Sequence, residues 1–270
     1  MSQADPESAS PTKMSLLVTL LWVGCTIIQS VGAPVSTYLY GSVQLPCSFP
    51  FVQEPEGLTV VWQKVESDGS KLLVYKLMYG KDLLSDQDPQ FKGRVELSKK
   101  FSLGNLDLTL RNVTFQDEGK YLCKAAHEKE DGEVSVELAI SGLNVTDPAV
   151  IFTYIGGDQY LRCLSSGVFR DLQVSWYDLH KIDLSPNATR SVTDLGDGRK
   201  MVESVLTMEM MPNVAYFCQI REGRLQRTVR AVVSDGNTPI AIIENSATWT
   251  TAWKMIPVLL TCTAIRICIV

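Results

Sequence analysis

Histidine is scarce in this chain, whose 270 residues include only His127 and His180. Neither lies in the Gly-x-Ser-x-Gly context that positions a nucleophilic serine. No cysteine or histidine pair has zinc-site spacing once disulfides are considered, and the acidic run at 128–131 fits a solvated hairpin tip better than a calcium site. The sequence therefore predicts no enzyme, no catalytic residue, no metal ligand and no cofactor.

Basic residues are not in excess either, since the formal net charge is -5. Proteins that bind nucleic acid usually carry basic patches that neutralise phosphates. A nucleic-acid partner is therefore not predicted. The length favours two domains of about 100 residues with additional terminal segments.

Long apolar runs are missing as well, and the first short one lies near the N-terminus. Lys13 precedes the apolar residues 14–28, which are followed by small residues ending at Gly32 and Ala33. A basic flank, an apolar core and a small-residue exit are typical of a secretory signal peptide. We predict that residues 1–33 are this signal, and the alternative is a signal anchor retained as a membrane helix.

The C-terminal run, residues 255–270, is about 16 residues long and contains Arg266. It is shorter than the roughly 20 residues that span a bilayer, although Trp249 and Trp253 suit a membrane interface. A stalk at 236–250 and a membrane segment at 251–270 are predicted. The segment is either a short or truncated single-pass helix, which we favour, or a removable signal for a GPI lipid anchor attached near 245–247. Both place the protein on the external side of the plasma membrane.

Cysteine is used in the manner of a secreted protein, where disulfides are favoured over redox or metal chemistry. Of seven cysteines, Cys25 falls in the predicted signal and Cys262 and Cys268 fall in the C-terminal run. Four remain, which allow three pairings. They are Cys47, Cys123, Cys163 and Cys218.

The spacing around Cys123 matches the core of an immunoglobulin sandwich. Tyr121 lies two residues before Cys123, Cys47 lies 76 residues upstream, and Trp62 follows Cys47 by 15. In that fold the tyrosine fixes a corner, the cysteines bridge the sheets and the tryptophan packs on the bridge. The separation predicts a nine-stranded variable-type domain over 34–141, with an ion pair between Arg94 and Asp117.

A second set of the same residues predicts a second domain over 142–235. Cys163 and Cys218 are 55 residues apart, with Trp176 between them and Tyr216 two residues before the second cysteine. This shorter spacing suits a seven-stranded constant-type sandwich. The predicted fold class is thus all-β, with two tandem immunoglobulin-like sandwiches. Only the pairing of Cys47 with Cys123 and of Cys163 with Cys218 matches that fold.

Local motifs resemble the B7 and butyrophilin family of cell-surface immune ligands. The similar stretches are 62–64, 91–94, 104–114 and 117–121 in the first domain and 165–169 in the second. The resemblance implies a CD28-type receptor on T cells as partner, with a costimulatory or inhibitory effect on T-cell activation. A weak homodimer is also compatible with this reading of the sequence. The alternative is an adhesion protein that makes homophilic or heterophilic cell contacts without immune signalling.

Side-chain alternation predicts which residues of the first domain face a receptor. Cys123 and Trp62 must point into the core, so the residues next to them must point outward. The outward residues are Val61, Gln63, Leu122 and Lys124, and Tyr75 and Leu77 are expected to extend the same apolar patch. Three sequons predict glycosylation away from this surface, at Asn112, Asn144 and Asn187.

Overall fold

The computed structural model describes residues 34–233 and 240–242, and this part of the chain forms strands and short 3₁₀ turns without any α-helix. The all-β prediction is confirmed. Within the described residues no helix is long and apolar enough to cross a membrane. The predicted signal peptide and C-terminal membrane segment lie outside the described residues.

Nine strands build the first pair of sheets, which we call the first sandwich. A six-stranded sheet has the order β1-β9-β8-β3-β4-β5 and faces a three-stranded sheet of order β2-β7-β6. Only β1 and β9 pair in parallel. The strands are β1 Val35–Tyr38, β2 Val43–Leu45, β3 Thr59–Val65, β4 Lys71–Met78, β5 Lys81–Asp82, β6 Val95–Leu97, β7 Leu108–Leu110, β8 Gly119–His127 and β9 Glu130–Gly142, with 3₁₀ turns at Pro89–Phe91, Phe101–Leu103 and Phe115–Asp117.

A disulfide and a tryptophan hold the centre of this sandwich. Cys47 bonds to Cys123 with a Cα–Cα distance of 6.3 Å, as predicted. The Trp62 side chain is fully buried, and its indole Nε1 donates to the Leu106 carbonyl at 3.1 Å. A buried indole needs such an acceptor because an unpaired buried donor is costly.

The predicted corner before Cys123 is also present. The Tyr121 hydroxyl donates to the Asp117 carbonyl at 2.7 Å, and the Arg94 guanidinium donates to the Asp117 carboxylate at 2.5 and 3.0 Å. Asp117 is buried and also accepts from the Thr114 amide at 2.7 Å. One carboxylate therefore joins the start of β6 to the turn that leads into β8.

Eight further strands form a second pair of sheets, which we call the second sandwich. Its sheets have the orders β10-β11-β14-β13 and β12-β15-β16-β17. Cys163 bonds to Cys218, and the Trp176 indole donates to the Ser204 hydroxyl at 3.0 Å. The strands are β10 Ala149–Ile155, β11 Asp158–Gly167, β12 Gln173–Asp178, β13 Ala188–Asp194, β14 Lys200–Thr207, β15 Ala215–Glu222, β16 Leu225–Val232 and β17 Ile240–Ile242, with a 3₁₀ turn at Ser185–Asn187.

The segment predicted as a stalk, 236–250, contains the strand β17. Its backbone pairs antiparallel with residues 230–232 of β16. Without β17, β16 would be an edge strand with free backbone hydrogen-bonding groups. The Ile-Ala-Ile sequence at 240–242 includes two β-branched residues, which favour strands. The segment predicted as a stalk thus includes a short strand at 240–242.

The two sandwiches touch through polar contacts that the sequence did not predict. The Tyr40 hydroxyl donates to Glu222 Oε1 at 2.8 Å, and Arg224 donates to both oxygens of Glu118 at 2.6 and 2.7 Å. The Arg224 guanidinium also lies 4.5 Å from the centre of the Phe115 ring. Burial, and then the hydrogen bond to Glu222, raises the pKa of Tyr40 to about 12. The hydroxyl therefore stays protonated as a donor at neutral pH.

Candidate functional site

The outer surface of β3, β4, β8 and β9 in the first sandwich is the candidate site, and we call it the front face. In the strand register Trp62 lies opposite Cys123, Val61 opposite Lys124 and Gln63 opposite Leu122. Because Trp62 and Cys123 are buried in the core, Val61, Gln63 and Lys124 point outward. All three are half-buried, as expected on a central part of a sheet surface.

Leu122 was predicted to be exposed, and this was wrong because only 5% of it is accessible. It does not belong to the hydrophobic core cluster. It lies at the middle of the front face, between Gln63 of β3 and Ser135 of β9. Leu122 is flanked on both sides by neighbouring strands, and its side chain is buried although it lies outside the core cluster.

Tyr75 and Leu77 were predicted to extend the apolar patch, but both are buried in the core. The cause is a β-bulge at Val74, since Trp62 pairs with Tyr75 whereas Gln63 pairs with Leu73. One extra residue reverses which side chains face inward along the rest of a strand. Burial, followed by a hydrogen bond to Asp82, raises the pKa of the Tyr75 hydroxyl.

Other residues of β4 take the outward positions that the prediction gave to Tyr75 and Leu77. Leu73 lies opposite Gln63, Lys76 opposite Val61 and Met78 opposite Thr59. Each is half-buried, and neither Leu73 nor Met78 packs against the core cluster, as Leu72 does. The corrected front face therefore has three outward apolar side chains, Val61, Leu73 and Met78, with Gln63, Lys76 and Lys124 between them.

Charged residues of both signs border this apolar centre on the β8 and β9 side. Lys124 Nζ lies 2.6 Å from Glu133 Oε2, and Lys120 lies opposite Glu137. The hydrogen bond from Lys124 holds the pKa of the Glu133 carboxyl below its ordinary value. A small apolar centre with a charged border resembles the composition of protein–protein interfaces rather than of a small-molecule pocket.

Comparison with known proteins explains this architecture. Residues 31–141 match the model of the immunoglobulin V-set domain. The chain is 30% identical over 133 residues to "V-set domain containing T-cell activation inhibitor 1" of Mus musculus, and 27% identical over 206 residues to "CD276 antigen homolog" of Xenopus laevis. Residues 31–141 thus form an immunoglobulin V-set domain, and the chain is similar to B7 and butyrophilin proteins. "Butyrophilin subfamily 1 member A1" of Mus musculus is 25% identical over 181 residues.

These matches cover parts of the B7 and butyrophilin relatives. The alignments span 49%, 73% and 62% of this chain, and 45%, 65% and 34% of the three relatives in the same order. The chain thus spans about half the length of the first relative. Among solved structures, the human B7-H4 IgV-like domain is 28% identical with a TM-score of 0.37, covering 40% of this chain and 92% of that chain.

The sequons of this B7-related chain lie outside the front face. Asn112 follows β7, Asn144 follows β9, and Asn187 ends the 3₁₀ turn before β13. Asn112 is exposed and has a φ of 52°, a left-handed conformation that asparagine tolerates better than most residues. Glycosylation at these sites stays a prediction, and a glycan at any of them would leave the front face uncovered.

An open groove of about 760 Å³ lies where β4 and β5 of the six-stranded sheet meet the three-stranded sheet of the first sandwich. Two exposed ion pairs, Lys99 with Asp82 and Arg111 with Glu96, lie along it. No group of acidic, histidine or cysteine side chains in the described part of the chain could hold a metal ion. The groove offers charges that already neutralise one another, so the front face remains the better candidate.

Proposed function

We propose that this chain is a B7-like ligand on the outer side of the plasma membrane, which binds a CD28-type receptor on T cells and modulates their activation. The V-set domain and the similarity to B7 and butyrophilin proteins support a binding role rather than an enzymatic one. The observation that carries the proposal is the front face itself, with Val61, Leu73 and Met78 outward on adjacent strands. One relative is named as a T-cell activation inhibitor, which supports an immune role.

The proposal includes the order of domains, a variable-type domain over 34–141 followed by a constant-type domain over 142–235. In the second sandwich β13 pairs with β14 and no strand lies beyond β12 on the other sheet, among the strands described. In a constant-type domain the fourth strand, here β13, belongs to the same sheet as β10, β11 and β14, and the other sheet has no extra strands beside β12. The front face would then stand on the domain farther from the membrane.

Charge placed at the centre of the front face should weaken receptor binding. We expect Val61→Asp to reduce binding at least about tenfold, because burying an aliphatic side chain contributes about 1.5 kcal/mol or more. The measurement is binding of a soluble fusion of residues 34–236 to activated T cells. Leu122→Asp is unsuitable, because it would bury a charge beneath the surface.

Thr109→Asp is the matched control for this experiment. Thr109 is half-buried like Val61 but lies on β7, in the opposite sheet. The proposal is contradicted if Val61→Asp and Thr109→Asp bind as the parent does while both remain secreted and disulfide-bonded. Aggregation of beads coated with the fusion, without T-cell staining, would instead favour homophilic adhesion.

The mode of membrane attachment is proposed from the sequence of residues 251–270. We favour a single-pass type I segment, and we expect the protein on intact cells to resist release by a phospholipase C specific for glycolipid anchors. A known lipid-anchored protein on the same cells serves as the positive control. Release of the chain into the medium would contradict a spanning segment and would show that the chain is held by a lipid anchor.

A further inference from the structure

One end of the second sandwich carries a group of exposed apolar side chains. We call it the far end, and it consists of the turn at 154–158 and the loops at 179–184 and 208–214. Five of the twelve large exposed apolar side chains of the described residues lie here, namely Tyr154 at 64%, Ile155 at 62%, Leu179 at 56%, Ile182 at 58% and Met211 at 66% exposure. Single exposed apolar residues are ordinary, but a group at one end indicates a contact surface.

Strand pairing brings the three segments to the same end. Ile155 pairs with Asp158 where β10 turns into β11, and Asp178 at the end of β12 pairs with Tyr216 near the start of β15. The Met210 amide donates to the Gln159 side chain at 2.7 Å. The loop at 208–214 is thereby joined to the turn between β10 and β11.

Local hydrogen bonds hold these loops in shape without using the apolar side chains. Asp178 Oδ1 accepts from the amides of His180 and Ile182, each at 2.8 Å. The Tyr216 hydroxyl accepts from the Met211 amide at 3.1 Å, while the neighbouring Met210 side chain is buried. The backbone groups are satisfied inside the loops, and the apolar side chains are left facing outward.

The strand β16 also ends at this end of the second sandwich. Val232, the last residue of β16, pairs with Ala215 at the start of β15, and the sequence then continues to Trp249, Trp253 and the apolar residues 255–270. β17 runs back along β16 for three residues. The seven residues from 242 to 249 can reach about 23 Å when extended, more than twice the length of that strand.

We propose that the far end rests on the surface of the lipid bilayer that holds the chain's own C-terminal segment. This inference rests on the proposed membrane attachment. Tyrosine and aliphatic side chains are favoured at the boundary between headgroups and hydrocarbon. Contact there would fix the tilt of the second sandwich over the membrane and hence the height at which the front face is presented.

The charges at the far end indicate whether anionic or zwitterionic lipid headgroups are the better partner. Lys181 is its exposed cation, whereas Asp158, Asp183 and Glu209 are acidic. A surface with this balance is not attracted to anionic headgroups, so zwitterionic phosphatidylcholine is the expected partner. The sequon at Asn187 lies at this same end, because Ala188 of β13 pairs with Leu206 just before the loop at 208–214, but β13 is at the opposite edge of its sheet from β10. A glycan there would leave the turn at 154–158 uncovered.

The test uses the full chain in phosphatidylcholine nanodiscs and added tryptophans as depth probes. We expect brominated phosphatidylcholine to quench the emission added by Tyr154→Trp and by Leu179→Trp. Leu195→Trp is the control, since Leu195 is 42% exposed in the same sandwich but follows β13 at the other end. Its added emission should not be quenched.

Each result either supports or overturns the contact. Unquenched emission from Tyr154→Trp and Leu179→Trp in a retained chain overturns the bilayer contact and leaves the attachment standing. Loss of the chain from the nanodisc overturns both the bilayer contact and the proposed membrane attachment. Receptor binding by the soluble fusion is measured separately and does not depend on this result. Equal quenching of Leu195→Trp, or stronger quenching only when phosphatidylserine is added, also overturns the proposal. Circular dichroism of each variant establishes that it is folded.

Discussion

Replacing Asp117 with alanine is expected to abolish most secretion of the protein and to lower the thermal stability of the first sandwich severely. The Asp117 carboxylate is buried and accepts from the Arg94 guanidinium and from the Thr114 amide. Removing one partner of a buried pair typically costs about 3–5 kcal/mol, out of the roughly 5–15 kcal/mol that stabilise a whole domain. The melting temperature should fall by more than about 10 °C.

An exposed ion pair in the same sandwich provides the control. Arg111 and Glu96 form an ion pair whose side chains are 54% and 63% exposed, and such pairs contribute at most about 1 kcal/mol. Glu96→Ala should therefore be secreted normally and melt within a few degrees of the parent. Thermal unfolding of residues 34–236, followed by circular dichroism, measures both variants. Equal melting temperatures for Asp117→Ala and Glu96→Ala would contradict a structural role for the buried pair.

The parts of the fold that the sequence predicts well are those where spacing alone restricts the geometry. A disulfide needs two cysteines at a fixed distance across the sheets, and the indole of Trp62 has to pack beside it. The Tyr121 corner then follows, since Tyr121 and Asp117 lie two and six positions before Cys123, and Asp117 of this corner also accepts from Arg94. β9 is equally clear because Val136, Leu138 and Ile140 alternate with polar residues or alanine.

The front face was harder to predict because its outline depends on one inserted residue. The run at 72–78 has apolar side chains at both odd and even positions, so alternation does not reveal which side is inward. The bulge at Val74 decides it, placing Tyr75 inside and Leu73 outside. Leu122 shows a different limit, since outward direction does not imply exposure when neighbouring strands cover the position.

Contacts between the sandwiches leave no signal in the sequence. Tyr40 and Glu222 are 182 positions apart, and neither belongs to a motif of fixed spacing. A tyrosine near the N-terminus of a domain and a glutamate near the end of a strand are individually ordinary. Only the folded chain shows that Glu222 is buried and shared by both sandwiches.

Glu222→Ala is therefore the second variant for which we expect a large effect, at the junction of the sandwiches. Glu222 Oε1 accepts from the Tyr40 hydroxyl at 2.8 Å and from the amides of Arg170 and Asp171 at 3.0 Å each. Alanine leaves all three donors without this acceptor. An unsatisfied buried donor costs about 1–3 kcal/mol, so we expect a loss of roughly 3 kcal/mol after water has replaced part of the contact.

Glu222→Gln distinguishes the loss of the acceptor from the loss of the charge. Glutamine keeps an Oε1 acceptor for the same donors, and its amide would occupy the place of Oε2, which is buried without a partner among the described residues. We expect this variant to lose less free energy of unfolding than Glu222→Ala, because it keeps the acceptor for all three donors, with part of the loss coming from amide hydrogens that have no partner at this position. Hydrogen exchange of the Arg170 and Asp171 amides should accelerate strongly in Glu222→Ala and little in Glu222→Gln. Equal exchange in both variants would show that the negative charge, rather than the shared acceptor, holds the junction together.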